Sequence, residues 1–188
     1  WPIELLPGGS RSHEESPDVS FIVGHRGRER LPHLLRTLES LAAQRGCSTE
    51  TVVVEQAAEP LLEELRVPGV RVVHQAPPDP ETPYSRSWAF NRGAREARGR
   101  VLVLHDNDVL APADYAAEVS ALANRGFEAM RLQRFVFYLD QEATAPFVRG
   151  TAGTLPALEE VEPGAIRQNC QGATIAITRC AIKLAQCL

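Results

Sequence analysis

The chain lacks the features that mark several large classes of protein. No apolar run approaches the ~20 residues needed to cross a bilayer, and no basic segment followed by an apolar one marks a signal peptide. The four cysteines show no C-x-x-C spacing and no paired histidines, so a zinc site is not expected. Positive charge is not in excess: the formal net charge is −4, which argues against nucleic-acid binding. We predict a globular protein of the cytoplasm, with a removed Golgi-type anchor as the alternative.

Two glycine motifs of nucleotide-binding proteins are also missing. The sequence has no G-x-G-x-x-G and no G-x-x-x-x-G-K-[ST], so a dinucleotide-binding Rossmann domain and a P-loop both lose support. Apolar runs instead alternate with amphipathic segments, which predicts an α/β protein with a largely parallel sheet and helices on both faces. Strands are expected at 19–23, 51–55, 70–73, 101–104, 130–139 and 172–177, helices at 30–44, 60–65, 84–98, 112–124 and from 179, and a long loop at 141–167.

The stretch RVLVLHDNDV, residues 100–109, is the most informative part of the sequence. An apolar run ends there in two carboxylates two positions apart, Asp106 and Asp108. Such a run predicts a buried strand, and ligands of open α/β sheets bind beyond the carboxyl ends of the strands. Two acids at that place repel each other unless a cation lies between them. The alternative is a polar turn, since Asn and Asp are common turn residues.

Four segments resemble glycosyltransferases with a GT-A fold. Residues 84–108, YSRSWAFNRGAREARGRVLVLHDND, resemble the nucleotide-sugar-binding half of GT-A glycosyltransferases of family 2. Residues 19–35, VSFIVGHRGRERLPHLL, and 53–56, VVEQ, are similar to the first two strands of the β-1,4-galactosyltransferase and chondroitin-synthase group. Residues 171–179, QGATIAITR, resemble the strand that closes the acceptor side. The resemblance implies the GT-A, Rossmann-like nucleotide-diphospho-sugar transferase fold, with a mixed, mostly parallel sheet.

The resemblance also implies a reaction. A hexosyltransferase of this kind moves a sugar from a nucleoside diphosphate sugar, most often a UDP-sugar, to a saccharide or other hydroxyl acceptor with inversion. Asp106 and Asp108 form the expected metal site, in which Asp108 would bind Mn²⁺ or Mg²⁺ directly and Asp106 would lie near the ribose or a metal-bound water. Such cations favour oxygen ligands, and the metal would neutralise the departing diphosphate.

Nucleotide-binding residues are expected at the ends of strands and helices. Arg26 and Arg28 match arginines that lie near the nucleotide in the resembled group, where forked guanidinium donors suit phosphate. Glu55 would accept hydrogen bonds from uracil or ribose. The expected set is Gly24, His25, Arg26, Arg28, Glu55, Asn91, Arg92, Asp106 and Asn107, with Asn91 and Arg92 facing the nucleotide from a helix start. The structural alternatives are a solvated loop for the two arginines, a strand-end acid for Glu55, a helix cap for Asn91, and packing roles for Tyr84 and Trp88.

The chain is expected to divide into a lead-in and one domain. Residues 1–17 contain Pro, Gly, Ser and acids with little periodicity, which predicts a flexible lead-in. The resemblance implies that 18–188 form a single GT-A domain with a nucleotide-sugar-binding half, 18–110, and an acceptor-side half, 111–188. The family's acceptor half normally carries a Gly-Gly-Phe-Asp or Trp-Gly-Gly-Glu-Asp segment, whose acid is the general base. This chain ends where that segment should begin, so the acceptor half is expected to be incomplete and the general base is not identified.

Two other functions stay open at this point. One is a GT-A-like module that binds nucleotide without transferring sugar. The other is a nucleotidyltransferase, which normally needs a glycine-rich, basic phosphate loop after the first strand; Gly24-His-Arg-Gly-Arg matches that loop poorly. Release of nucleoside diphosphate, binding without turnover, and release of pyrophosphate would distinguish the three functions. The sequence does not decide whether the chain is a monomer or a homo-oligomer.

Overall fold

A six-stranded mixed sheet forms the centre of the protein. The computed structural model describes residues 16–63, 67–133, 135–150, 165–168 and 172–185, so the predicted lead-in lies almost wholly outside the described residues. The strands are β1 Val19–His25, β2 Thr49–Glu55, β3 Val70–His74, β4 Val101–His105, β5 Ala129–Met130, β6 Phe135–Phe137, β7 Ile166–Gln168 and β8 Thr174–Thr178. The large sheet has the order β3-β2-β1-β4-β8-β5, and β6 and β7 form a separate antiparallel pair.

The first four strands run parallel, and the last two positions of the sheet reverse direction. β1 pairs in parallel with both β2 and β4, and β2 pairs in parallel with β3. β8 is antiparallel to β4 and to β5. All seven residues of β1 are buried, as expected of a parallel strand covered on both faces. The predicted α/β class with a mixed, mostly parallel sheet is confirmed.

Helices cover both faces of the sheet and create two separate cores. They are α1 Leu31–Ala42, α2 Arg86–Glu96, α3 Tyr115–Asn124, α4 Gln141–Val148 and α5 Arg179–Ala185. On one face, alternate residues of β1 and β4 pack with α1 and α3. On the other face, Ile22 and Leu102 pack with Ala89, Phe90 and Ala94 of α2. This two-sided burial fixes the register, because a one-residue slip would exchange the two faces. In the described part of the chain, every helix is too short or too polar to cross a bilayer.

Two predicted elements are wrong, and in both a side chain forms hydrogen bonds with backbone groups. The strand predicted at 130–139 is split after Met130, where the Gln133 side-chain amide donates to the carbonyls of Gly172 and Thr174 on and beside β8. The helix predicted at 60–65 is absent over 60–63, where the Glu55 carboxylate accepts the Leu61 and Leu62 amides; 64–66 lie outside the described residues.

The loop predicted at 141–167 contains regular structure at both ends. Asp140 begins α4 as its N-cap, and its carboxylate accepts the Ala143 amide at 2.8 Å. An N-cap of this kind satisfies a backbone donor that would otherwise lack a partner. Near the other end, Ile166–Gln168 forms β7, while 151–164 lie outside the described residues.

The order of the strands creates a switch point between β1 and β4. From β1 the chain continues to β2 and β3 on one side of the sheet, and then returns to place β4 on the other side of β1. The loops that follow β1 and β4 therefore leave the same edge of the sheet and diverge. A crevice at this position is where open α/β sheets bind ligands.

Gly93 tests the tight packing of α2 on the sheet. A Cβ at this buried position would collide with the Ile22 side chain and lie 3.1 Å from Cγ2 of Val54. Alanine normally stabilises a helix interior relative to glycine by about 1 kcal/mol, but overpacking costs about 1–3 kcal/mol. We expect Gly93→Ala to lower the free energy of unfolding by about 1 kcal/mol in urea denaturation. Arg95→Ala, on the exposed side of α2, is the control; a stabilised Gly93→Ala would contradict this packing.

Candidate functional site

A cleft of about 660 Å³ opens at the switch point. Its walls come from the loops after β1 and β4 and from the beginning of α2. Three arginines, three carboxylates and Tyr84 are among the lining residues. A second hollow, of about 670 Å³, lies beside β3, and no arginine is found among its described lining residues. The first cleft is therefore the one suited to an anionic ligand bound through a cation.

Asp106 is held at the mouth of β4 by two partners. One carboxylate oxygen forms an ion pair with Arg86 at 2.7 Å, and the other accepts the backbone amide of Ala173 at 3.0 Å. Partial burial raises the pKa of Asp106, and the neighbouring Asp108 raises it further, while Arg86 opposes both. The carboxylate is thus oriented but electrostatically unfavourable, which is the condition that an added cation would relieve.

Asp108 points into the cleft and has an arginine partner of its own. Nη2 of Arg30 lies 2.5 Å from the Asp108 carboxylate and 3.1 Å from the side-chain oxygen of Asn107. The Asp108 side chain is 43% exposed. A single guanidinium group therefore spans both residues of the turn that follows Asp106.

Two buried histidines keep this turn in place. Nε2 of His105 lies 3.1 Å from the Val109 carbonyl, and burial lowers the pKa of His105 to about 4. The Asn107 amide donates to Nδ1 of His25 at 3.2 Å, and burial lowers the pKa of His25 as well. Both rings are therefore neutral near pH 7 and act as hydrogen-bonding supports. His25 reaches the site through Asn107, and His105 closes the turn that carries Asp106 and Asp108.

Arg26 lines the cleft but directs its guanidinium to the proline-rich loop at 76–83. Nη1 donates to the Thr82 carbonyl at 2.5 Å and Nη2 to the Pro80 carbonyl at 3.1 Å. The loop is also held by a reciprocal pair of hydrogen bonds between the Gln56 side chain and the Ser85 backbone, at 2.8 and 3.0 Å. These contacts fix the place where α2 begins.

Gly24 makes room for a tyrosine in the cleft wall. A Cβ at Gly24 would collide with the Tyr84 hydroxyl and lie 3.0 Å from the side chain of Ala89. Tyr84 is 41% exposed and lines the cleft. Partial burial and the nearby Asp106 carboxylate raise the pKa of Tyr84. Gly24 therefore contributes through the close approach that it permits, and Tyr84 presents a neutral hydroxyl beside Asp106.

Glu55 has a different set of partners from the predicted one. It is fully buried, and its two carboxylate oxygens accept the Leu61 and Leu62 amides at 2.9 and 3.1 Å. It contributes to the wall of the second hollow and is not among the residues that line the cleft. Its observed contacts are those of an acid that closes the loop after β2.

Asn91, Arg92 and Arg28 also lie away from the cleft lining. The prediction that Asn91 and Arg92 sit at a helix start is wrong, because α2 begins at Arg86 and Ser85 is its N-cap, with its hydroxyl accepting the Trp88 amide at 3.3 Å. Asn91 is exposed, and Arg92 pairs with Glu96 one turn along at 2.8 Å. Arg28 is exposed in the short 3₁₀ turn after β1.

Sequence reasoning misses the two arginines that contact the acid pair. Arg30 lies in the resembled segment 19–35, but the expected phosphate-binding arginines of that segment are Arg26 and Arg28. The chain between β1 and Arg30 turns at Gly27, where φ is +87°. Arg86 stands in the resembled segment 84–108, and its position directly after the helix cap is the signal that could have found it. Arg86 is further positioned by its guanidinium carbon lying 5.1 Å from the centre of the Phe90 ring.

The acid pair suits a hard divalent cation that takes its remaining ligands from outside the protein. Asp106 and Asp108 offer carboxylate oxygens, the donors that Mn²⁺ and Mg²⁺ favour. Among the described residues, no cluster of three or more His, Cys, Asp and Glu side chains could enclose a metal ion. These residues would thus contribute part of a coordination shell, and phosphate oxygens and water would complete it.

We expect Arg26→Ala to release the proline-rich loop without unfolding the protein. Hydrogen bonds from a charged donor contribute about 1.5–3 kcal/mol, so the Glu81 and Thr82 amides, which bond to Asp79, should exchange with deuterium about tenfold faster. Arg28→Ala is the matched control, since Arg28 is exposed in the same connection. Equal exchange in both variants would show that Arg26 does not hold the loop.

Comparison with known proteins identifies the family and the fold of the chain. The sequence profile of a family described as Glycosyltransferase like family 2 matches residues 17–147. A search of the curated proteins found no match. A mannosyltransferase from Pyrobaculum calidifontis, solved with GDP-mannose and Mn²⁺, has a similar structure, with a TM-score of 0.55 at 20% identity over 92% of this chain. The chain spans 47% of the length of that mannosyltransferase.

A second solved structure resembles the chain less closely. It is 4-diphosphocytidyl-2C-methyl-D-erythritol synthase from Anaerococcus prevotii, with a TM-score of 0.46 at 14% identity, covering 88% of this chain and 73% of that one. This likeness is too weak to bear on function. The profile, in contrast, covers well over half of the chain, including β1, β4 and the acid pair. The chain therefore belongs to the glycosyltransferase family 2-like proteins and has the GT-A, Rossmann-like fold.

Proposed function

We propose that this chain binds a nucleoside diphosphate sugar through a divalent cation and takes part in transferring the sugar to a hydroxyl acceptor. The observation that carries the proposal is the pair of carboxylates, Asp106 and Asp108, placed at the end of β4 in a cleft with arginine donors. Carboxylates without a cation would repel a diphosphate. A site that bound the diphosphate through arginines alone would not require carboxylates. The combination of carboxylates and arginines suits an anion that arrives with a cation.

The charges that line the cleft balance one another. The cationic side chains are Arg26, Arg30 and Arg86, and the anionic ones are Glu29, Asp106 and Asp108. A bound divalent cation would give the cleft a surplus of two positive charges. A nucleoside diphosphate sugar carries two negative charges on its diphosphate, so the ligand and cation together restore the balance. This complementarity supports a diphosphate donor over a neutral sugar.

The proposed roles follow from the contacts. Asp108 and Asp106 would hold Mn²⁺ or Mg²⁺, whose chemistry is to neutralise charge on the departing diphosphate. Arg30 and Arg86 would donate forked hydrogen bonds to the phosphates. Asn107 supports the turn that carries Asp106 and Asp108, because it donates to His25 and accepts from Arg30. Gly24 and Tyr84 would form the wall against which the donor packs.

The donor half is the part of the reaction that these residues support. Direct displacement with inversion needs a base near the acceptor hydroxyl. In the described part of the chain, the carboxylates that line the cleft are Glu29, Asp106 and Asp108. Asp106 and Asp108 are the proposed metal ligands, and no contact marks Glu29 as the base, so the base is not assigned. The narrower expectations of a UDP-sugar and of likeness to the galactosyltransferase and chondroitin-synthase group stay predictions; GDP is tested beside UDP because the mannosyltransferase was solved with GDP-mannose.

Calorimetric titration of UDP and GDP, with Mn²⁺ or with EDTA, tests the binding proposal. We expect metal-dependent binding of at least one nucleotide. Asp108→Asn should weaken that binding by at least about tenfold, because even substitution of a residue that only supports a metal ligand weakens metal binding by about 10–100-fold. Binding measured with EDTA should change little. Asp114→Asn is the matched control, because Asp114 is exposed and makes no side-chain cap to α3. An unchanged affinity for Asp108→Asn would remove Asp108 from the metal site.

Turnover distinguishes transfer from binding alone. Incubation with UDP- and GDP-sugars and Mn²⁺ should release nucleoside diphosphate, and Asp108→Asn should slow the release by at least about tenfold. Binding without release, in a folded chain, would favour the nucleotide-binding module. Pyrophosphate release from a nucleoside triphosphate would instead favour a nucleotidyltransferase and overturn the proposed transfer.

A further inference from the structure

We propose that Arg30 is a built-in competitor of the divalent cation at Asp108 and that it couples the binding of cation and nucleotide. This inference rests on the proposed function for its ligands, although its first test needs no nucleotide. Asp108 is the acid expected to bind the metal directly, yet in the structure its carboxylate is already paired with a guanidinium group. A metal ion cannot take that oxygen without disturbing the pair.

Arg30 is hydrogen-bonded through one nitrogen atom to the turn that follows Asp106. Its Nη2 atom spans Asn107 and Asp108, at 3.1 and 2.5 Å, and its side chain is 44% exposed. Arg86, the partner of Asp106, differs because it also packs over the Phe90 ring. The Arg30 guanidinium is therefore the better placed of the two to leave its carboxylate and turn toward a ligand in the cleft.

Electrostatics gives this movement a direction. A divalent cation at Asp108 would lie within a few ångströms of the Arg30 guanidinium, and two cations at that distance repel each other. A diphosphate removes the conflict, because its oxygens can accept hydrogen bonds from the guanidinium while others ligate the metal. Without nucleotide, the metal thus competes with Arg30 for Asp108. With nucleotide bound, Arg30 instead donates hydrogen bonds to the diphosphate. Since binding linkage is reciprocal, each ligand tightens the binding of the other.

Mn²⁺ binding followed by electron paramagnetic resonance tests the competition directly. Without nucleotide, we expect Arg30→Met to bind Mn²⁺ at least about threefold more tightly than the parent, because an exposed ion pair no longer has to be broken. Arg30→Lys keeps the charge and should stay close to the parent. Arg95→Met, which removes an exposed arginine from the last turn of α2, is the charge-matched control and should also be unchanged. Asp108→Asn added to Arg30→Met should abolish the gain.

The same titration with saturating UDP or GDP tests the coupling. In the parent, nucleotide should tighten Mn²⁺ binding; in Arg30→Met, the tightening should shrink by about tenfold, because charged hydrogen bonds to phosphate are lost. Equal Mn²⁺ affinities for the parent and Arg30→Met without nucleotide, with both chains folded by circular dichroism, would overturn the inference. Absence of nucleotide binding in the parent would overturn the proposed function instead, and the Mn²⁺ affinities measured without nucleotide would still decide whether Arg30 competes with the cation.

Discussion

The charge repulsion between the carboxylates of Asp106 and Asp108 explains why the cleft provides each of them with a cationic partner. Asp106 follows directly on β4 and Asp108 stands two residues later. Partial burial and the neighbouring Asp108 both raise the pKa of Asp106. Each acid has one arginine, drawn from a different element: Arg86 from the start of α2 and Arg30 from the turn before α1. Three parts of the chain therefore meet at a point that would otherwise be unfavourable.

The sheet brings the acids to this point for reasons that are visible in the sequence. Val101–Leu104 is an uninterrupted apolar run, as a strand buried on both faces requires, and the charged residues begin where that burial ends. β1 shows the same pattern, and its parallel pairing with β4 aligns Val23 with His105. The α/β class, the position of β4 and the location of the cleft could therefore be predicted, because all three depend on the alternation of apolar and polar segments.

The partners of individual polar side chains could not be predicted in the same way. Glu55 ends a strand as a ligand-binding acid would, but the next loop folds back and supplies two amides to its carboxylate. Asn91 stands in a segment that resembles a helix start, yet the serine six residues earlier caps the helix. Arg30 meets Asp108 across 78 positions of sequence. Loop paths decide each of these contacts, and a pattern of residue types contains little information about such paths.

Arg26 and Gln56 position the beginning of α2 and do not contact the acid pair themselves. Gln56 follows β2 and fixes the backbone of Ser85 through two hydrogen bonds, while Arg26 holds the carbonyls of the loop that leads there. Ser85 then caps α2, so that its first residue, Arg86, meets Asp106. An arginine expected at the phosphate acts one step earlier, by positioning the helix whose arginine reaches the acid. The placement of Asp106's partner thus depends on residues after β1 and β2, which is why the acid pair cannot be understood from the β4 segment alone.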